Sequence, residues 1–272
     1  YDLTNKRFRP DEGFRNIFRQ ELPLVSDNYE IVNSFETTRY QKISETVTKV
    51  SFYGKAVKAM EAPIDISAAD VIAKYIEAIG GEAKLKTIQD IESKSGMTMQ
   101  GMNIDIVIKQ KAPDKMSVET LMGGNVLSKQ VFNGEKAKVT SPMGEQEVSG
   151  PELEDMKIQS TLNAELYFEQ LGVVVELKGL EDVEGSPAWK LQMTTPSGKN
   201  MVDFYDKESG FKVKSVNQQG QMSITIMYSD YREVDGLMFP FQMKQIVGPQ
   251  TFDVTTTSIN INKGIEDLVF KL

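Results

Sequence analysis

The chain has 272 residues, 40% of them hydrophobic and 26% charged, with a formal charge of −8. That suffices for one or two folded domains with a sizeable core, and it suits neither nucleic acid nor an anionic membrane as partner. There is no His and no Cys, which excludes Ser-His-Asp catalysis, His or Cys metal sites, thiolate chemistry and disulfides, while oxygen-ligand metal sites and carboxylate chemistry survive.

Residues 1–62 differ in character from the rest. They hold ten Lys/Arg against nine Asp/Glu, so the excess of negative charge lies beyond them. Pro10-Asp11-Glu12 opens a short predicted helix with Phe14, Ile17 and Phe18 on one side. Two strand-like pieces follow, at 29–35 and 47–52. About 60 residues is small for a self-sufficient domain, so this stretch reads as an irregular arm or the tail of a preceding module. The chain starts at Tyr1 without Met or a signal-peptide pattern, the mark of a piece trimmed from something longer. No run of ~18 apolar residues occurs anywhere, so no transmembrane helix is expected.

Pro63 marks the boundary to a second region, 63–272. Ser67 is a predicted N-cap with Asp70 three residues on, a capping-box spacing. Ile72, Tyr75, Ile76 and Ile79 then form one apolar stripe, and Gly80-Gly81 ends the helix. A short helical turn is expected over 82–87. From Ile91 the period changes to two. Met102, Ile104, Ile106 and Ile108 alternate with Asn103, Asp105 and Lys109, and Met116, Val118 and Met122 with Ser117 and Glu119. Turns at Asn133-Gly134 and Pro142-Met143-Gly144 continue an antiparallel meander. A helical insertion opens at Pro151, and Leu153, Met156, Leu162, Leu166 and Leu171 mark its apolar side, with a break expected near 159–161. Strands then resume. Leu191 and Met193 share a face with the single Trp, Trp189, which reads as a buried anchor. The last hairpin, 222–247, turns at Asp235-Gly236, where a type I′ turn needs positive φ at both central residues. Its arms place Met222, Ile224, Ile226 and Tyr228 on one side, and Phe239, Phe241 and Met243 on one side of the return strand.

The chain holds fourteen Met, a residue over-used where varied apolar ligands are accepted. The alternating faces therefore nominate Met102, Ile104, Ile106, Met116, Val118, Met122, Leu191, Met193, Met222, Ile224, Ile226, Phe239, Phe241 and Met243 as walls of either a closed core or a ligand cavity. Leu153, Met156, Leu162 and Leu166 belong to its cover or lid. Enzyme signals are weak. Gly80–Thr87 lacks the Gly-Lys-Ser/Thr order of a phosphate loop and follows a helix rather than a strand. Ser209 and Lys212 have the spacing of a Ser/Lys dyad but straddle a turn. Glu181/Asp182 and Glu152/Glu154/Asp155 read as solvated charges. No metal site and no cofactor is expected.

The stretches VIAKYIEAIGGEAKLKTIQDI, VFNGEKAKVTSPMGEQEV, VDFYDKESGFKVKSV and YSDYREVDGLMFPFQM, taken in order, resemble the LolA/LolB-like lipoprotein-carrier superfamily. More narrowly, they look like the outer membrane lipoprotein-sorting type of module from Bacteroidetes, and the resemblance covers about 65–272. It implies a β-dominated α+β fold: a curved antiparallel incomplete barrel with two or three helices plugging its concave side. It further implies non-catalytic binding of a lipid, an acyl chain or another apolar molecule, in the periplasm or at the outer membrane, with an envelope protein as a further partner. Carriers of this superfamily lock a helical lid with an Arg on an early strand; here the early strands carry Lys109 and Lys111. The alternative is an accessory module of a larger envelope protein, with a closed core and no ligand. A carboxylate or Ser/Lys enzyme ranks third.

Overall fold

The computed structural model describes residues 66–99, 101–219 and 222–272, together with short strands before residue 54; the side chains of Gln219 and Met222 are not among the described features. The chain divides into two compact units, Tyr1–Met60 and Glu61–Leu272. The first carries β1 (Arg7–Phe8), β2 (Leu22–Pro23), β3 (Tyr29–Val32), β4 (Thr37–Lys42) and β5 (Thr48–Tyr53). β1 and β2 pair antiparallel, and β5 lies between a parallel β3 and an antiparallel β4. The helix expected after Pro10 lies outside the described residues.

The second unit opens with α1 (Ala68–Ala78) and a single turn, α2 (Glu82–Leu85). The expected cap is present: Ser67 Oγ accepts from Asp70 N at 3.2 Å, and Asp70 Oδ2 accepts from Ser67 N at 2.8 Å. The chain leaves α1 through Gly80 at φ +133, where a Cβ would fall inside the Leu237 side chain. Met238 N donates to Ile79 O at 3.0 Å in the same place. Glycine is thus needed both for the backbone angle and for the close approach.

Thirteen strands then form one antiparallel sheet. They are β6 (Asp90–Met99), β7 (Met102–Lys111), β8 (Lys115–Met122), β9 (Asn125–Phe132), β10 (Ala137–Ser141), β11 (Gly144–Val148), β12 (Val174–Val183), β13 (Ser186–Thr194), β14 (Asn200–Asp206), β15 (Lys212–Gln219), β16 (Met222–Val234), β17 (Leu237–Val247) and β18 (Gln250–Ile261). The spatial order is β11-β10-β9-β8-β7-β6-β18-β17-β16-β15-β14-β13-β12. Two meanders, β6–β11 and β12–β18, are therefore joined side by side where β18 pairs with β6. The sheet is not closed into a barrel; β11 and β12 are its edges. Asp235 and Gly236 both take positive φ, 51 and 74, as the β16–β17 turn requires.

The insertion between the meanders holds α3 (Pro151–Ser160) and a 3-10 turn, Ala164–Tyr167. The break falls at Thr161, where ψ reaches 120. α3 shows how tightly the sheet curls. Its Met156 packs with Phe132 and Ala137 on β9 and β10, whereas Ile158 packs with Val173 and with Met193 on β13. In a flat sheet those strands would lie about 45 Å apart. Curvature brings both wings onto one helix, so the apolar side chains of α3 point two ways and form no single stripe.

The concave side carries the core. Val71 and Ile72 of α1 meet Leu180, Trp189, Leu191 and Tyr205. Ile79, Leu85, Leu162, Leu237 and Ile261 form a second cluster. Trp189 is buried, as expected of an anchor. The closing segment is a 3-10 turn, Asp267–Phe270, against β8. It is tied down by Asp90, whose carboxylate accepts from the backbone of Lys263, Gly264 and Ile265 at 2.9, 3.0 and 3.3 Å.

Candidate functional site

In an antiparallel ladder, residues directly opposite one another share a face. Following the register across the sheet places thirteen of the fourteen nominated wall residues, all but Met222, on the concave face. Ile104 opposes Met122 and Met97; Met97 opposes Val254; Val254 opposes Met243. Met243 opposes Tyr228, and Ile226 and Ile224 follow at alternate positions. Leu191 and Met193 join the same face through Asp203 and Met201. The Met222 backbone pairs with Gln219; its side chain lies outside the description.

These residues do not share one environment. Leu191 and Met193 are fully enclosed under α1 and α3, and Met116, Ile104 and Phe241 are also buried. Phe239 packs against the α1–α2 cluster. Ile106, Val118, Met122, Ile224, Ile226 and Met243 are only half-buried. With Met97, Val247 and Phe252, they form a stretch across β8, β7, β6, β18, β17 and β16 that packs on none of the five buried clusters. Its span over five strand spacings is about 24 Å. Met102 lies at its end and is exposed. The cover residues also separate: Leu153 and Met156 sit on β9 and β10, while Leu162 and Leu166 sit on the α1–α2 cluster.

A cavity of about 330 Å³ opens at the other end of the strands. Leu85, Ile88, Ala112, Pro113, Leu162 and Leu171 give it apolar walls, and Lys86, Lys157, Asp114 and Gln170 give it a polar edge. Of the nominated residues, only Leu162 lines it.

Between the enclosed core and the half-buried stretch lies a polar island. Lys212 Nζ stands 2.8 Å from Glu165 Oε1 and 2.9 Å from Asp203 Oδ2. Ser215 Oγ donates to Asp203 Oδ1 at 2.5 Å, Tyr205 OH donates to Asp203 Oδ2 at 3.3 Å, and Tyr231 OH donates to Lys212 O at 2.7 Å. The rings of Tyr75 and Tyr205 face the ammonium at 5.4 and 5.6 Å. Burial alone would push the Lys212 ammonium down, but Asp203 and Glu165 outweigh it and hold the group well above the usual lysine range. For Glu165 burial pushes up, and the charge and hydrogen bond of Lys212 leave the carboxyl below its ordinary value. Burial raises the phenols of Tyr75 and Tyr205. A lysine held protonated in this way cannot act as a base.

Glu165 lies in the 3-10 turn of the insertion, whereas Lys212 and Asp203 lie on the sheet. The pair therefore ties the cover to its floor. Lys109 instead pairs with Glu92, and Lys111 with Asp267 and Ile265 O. Sequence reasoning missed this island because Lys212, Asp203 and Glu165 are far apart in the chain. The one available signal was a lone Lys at an inward-facing strand position. The Ser209–Lys212 spacing comes to nothing: Ser209 Oγ donates to Asp206 Oδ1 at 2.7 Å, away from Lys212. Glu181 is paired with Lys190. Asp155 accepts from Thr195 and Ser197 at 3.0 and 2.6 Å, fixing α3 to the β13–β14 turn. Among the described residues, no group of three or more acidic side chains is placed to hold a metal.

No family model and no curated protein matches the chain. Solved structures do. A LolA superfamily protein from Nitrosomonas europaea superposes with a TM-score of 0.53 at 11% identity, over 76% of this chain and 98% of that one. A domain assigned to an outer membrane lipoprotein-sorting protein of Vibrio parahaemolyticus gives 0.51 at 11%, over 74% and 95%. A DUF1329 family protein from Desulfovibrio piger gives 0.51 at 14%, over 75% and 95%. At these identities the likeness is one of fold, and the fold is LolA-like.

Proposed function

We propose that the concave face of residues 61–272 binds an acyl chain or another lipidic molecule in the bacterial cell envelope, carrying it without chemical change. The observation that supports this most is the half-buried stretch through Ile106, Met122, Ile224 and Met243. A curled sheet normally fills its hollow with its own side chains. Here α1 and α3 cover one part of the hollow, while an apolar strip beyond them keeps partial exposure, a mark of an interaction surface. Its methionines can re-pack around chains of different shape. Burying ~300 Å² of a ligand's apolar area would contribute about 7 kcal/mol before ordering costs, which corresponds to micromolar binding at best. The name of the Vibrio domain supports a place in the periplasm or at the outer membrane. In this reading residues 1–62 form a separate arm or the end of another module, and an envelope protein is the donor or acceptor of the lipid.

The test is acyl loading of the full chain. After delipidation it should take up a fluorescent fatty-acid analogue, and native mass spectrometry should show acyl species on the undelipidated protein. Ile226→Glu and Met243→Glu should lower the loading about tenfold while cooperative unfolding persists. A delipidated, folded chain that takes up no probe would refute the reading and favour an accessory module with a closed core.

A further inference from the structure

The two ends of the sheet differ in chemistry. At one end the hairpin turns are charged: Asp114-Lys115, Glu135-Lys136, 206–208 and 233–235 all lie there. At the other end four neighbouring connections, β10–β11, β8–β9, β6–β7 and β17–β18, close at Ser141/Gly144, Met122/Asn125, Met99/Met102 and Val247/Gln250, and the β13–β14 turn with Lys199 lies further along the sheet. The sequences of the four are Thr-Ser-Pro-Met-Gly, Leu-Met-Gly-Gly-Asn-Val, Thr-Met-Gln-Gly-Met-Asn and Ile-Val-Gly-Pro-Gln-Thr, with no charged residue in any of them. On a chain that is 26% charged and carries −8 overall, adjacent tips without one charge form a distinct surface.

That surface is also where large apolar side chains stand in solvent. Met143 is 97% exposed, Val126 53% and Met102 42%. These are three of the six large hydrophobic residues exposed among the described residues; Val174 begins β12 beside the β13–β14 turn, and Leu268 and Leu272 belong to the C-terminal segment. The rim is continuous with the half-buried strip, since Met122 and Val247 belong to both.

We infer that this uncharged hairpin rim seats on the headgroup layer of a zwitterionic lipid bilayer. The charge pattern selects that partner. An acidic chain is repelled by an anionic surface, and charged tips would have to be desolvated on entering any headgroup layer. A rim of Met, Val, Pro, Gly, Asn and Gln meets neither cost, and its exposed side chains gain by leaving water. Because no ion pair is involved, binding is insensitive to salt. The inference stands on the rim alone and does not require the concave face to hold a ligand.

The experiment is co-sedimentation of the full chain with phosphatidylcholine/phosphatidylethanolamine vesicles at low and high salt. Wild type should sediment equally at both. Met143→Asp combined with Val126→Asp should reduce partitioning about tenfold, and Leu268→Asp, at the opposite end, should leave it unchanged. Since the chain has no Cys, Met143→Cys and Leu268→Cys each accept a single polarity-sensitive dye. The dye at 143 should shift to the blue on vesicles and the dye at 268 should not. Acyl loading, followed in the same samples, should be unchanged in the rim variants, which separates this result from the concave-face reading. The inference is overturned if wild type does not sediment, if high salt releases it, if Leu268→Asp loses as much as the rim variants, or if a protein partner and not lipid accounts for binding.

Discussion

Lys212 shows what a single side chain can hold together. Its ammonium satisfies two carboxylates from different parts of the fold, and removing it would leave Glu165 and Asp203 buried without their cation. Breaking such a group by deleting one partner costs about 3–5 kcal/mol, so Lys212→Met should lower the denaturant midpoint by that equivalent. The pH response gives a sharper check. In wild type the Glu165 carboxyl sits below its ordinary value. Its contribution is therefore fully present above the unfolded value, about pH 4.3, and is lost as pH falls through the folded value. Lys212 is raised, so its contribution is present below the unfolded value of about 10.4 and is lost as pH climbs through the folded value. In Lys212→Met, burial remains the largest influence on Glu165, opposed only by a backbone hydrogen bond, and favours the protonated form. Stability should then rise as pH is lowered from neutrality, opposite in sign to wild type. Unfolding measured at several pH values checks the reversal.

Elements in this protein are placed by polar ties as much as by apolar faces. The C-terminal segment is the clearest case, since one carboxylate, Asp90, receives three successive backbone N–H groups from 263–265. Asp90→Ala should cost about 2–3 kcal/mol and should raise hydrogen exchange at 263–265 above that of β18. Equal protection in mutant and wild type would show that Phe270, buried against the sheet, holds the segment by itself. α1 and the last hairpin were legible in the sequence because their signals are local: a Ser67/Asp70 cap, a 3.6-residue stripe, an Asp-Gly turn between alternating arms. α3 was only partly legible. Leu153, Met156 and Ile158 follow no stripe because the helix touches two wings at once, and nothing in a single segment announces a second packing surface.

At the scale of the molecule, an open curled sheet with a partly exposed strip makes a measurable demand. A ligand that binds only the folded state at a hundredfold excess over its Kd adds about 2.7 kcal/mol. For a unit of this size that raises Tm by about 5–10 °C. Calorimetry of the delipidated chain with and without a long-chain fatty acid should show the rise, and Ile226→Glu should abolish it. A shift of similar size with a charged, chain-free analogue would instead point to the cavity edged by Lys86 and Lys157.

What the sequence determined by itself was the alternation of each strand, the position of most turns and therefore the face on which the thirteen described wall residues lie. Those follow from a backbone period of two and from turn residues that fix register, and both are properties of neighbours in the chain. The tertiary structure alone decided which of the concave residues are enclosed. Leu191 and Ile226 carry the same strand signal, yet one lies under α1 and the other on the half-buried strip. It also decided that Lys212 meets Glu165 and Asp203. Both outcomes depend on how far the sheet curls and where the insertion crosses it, a sum over thirteen strands that no local stretch records.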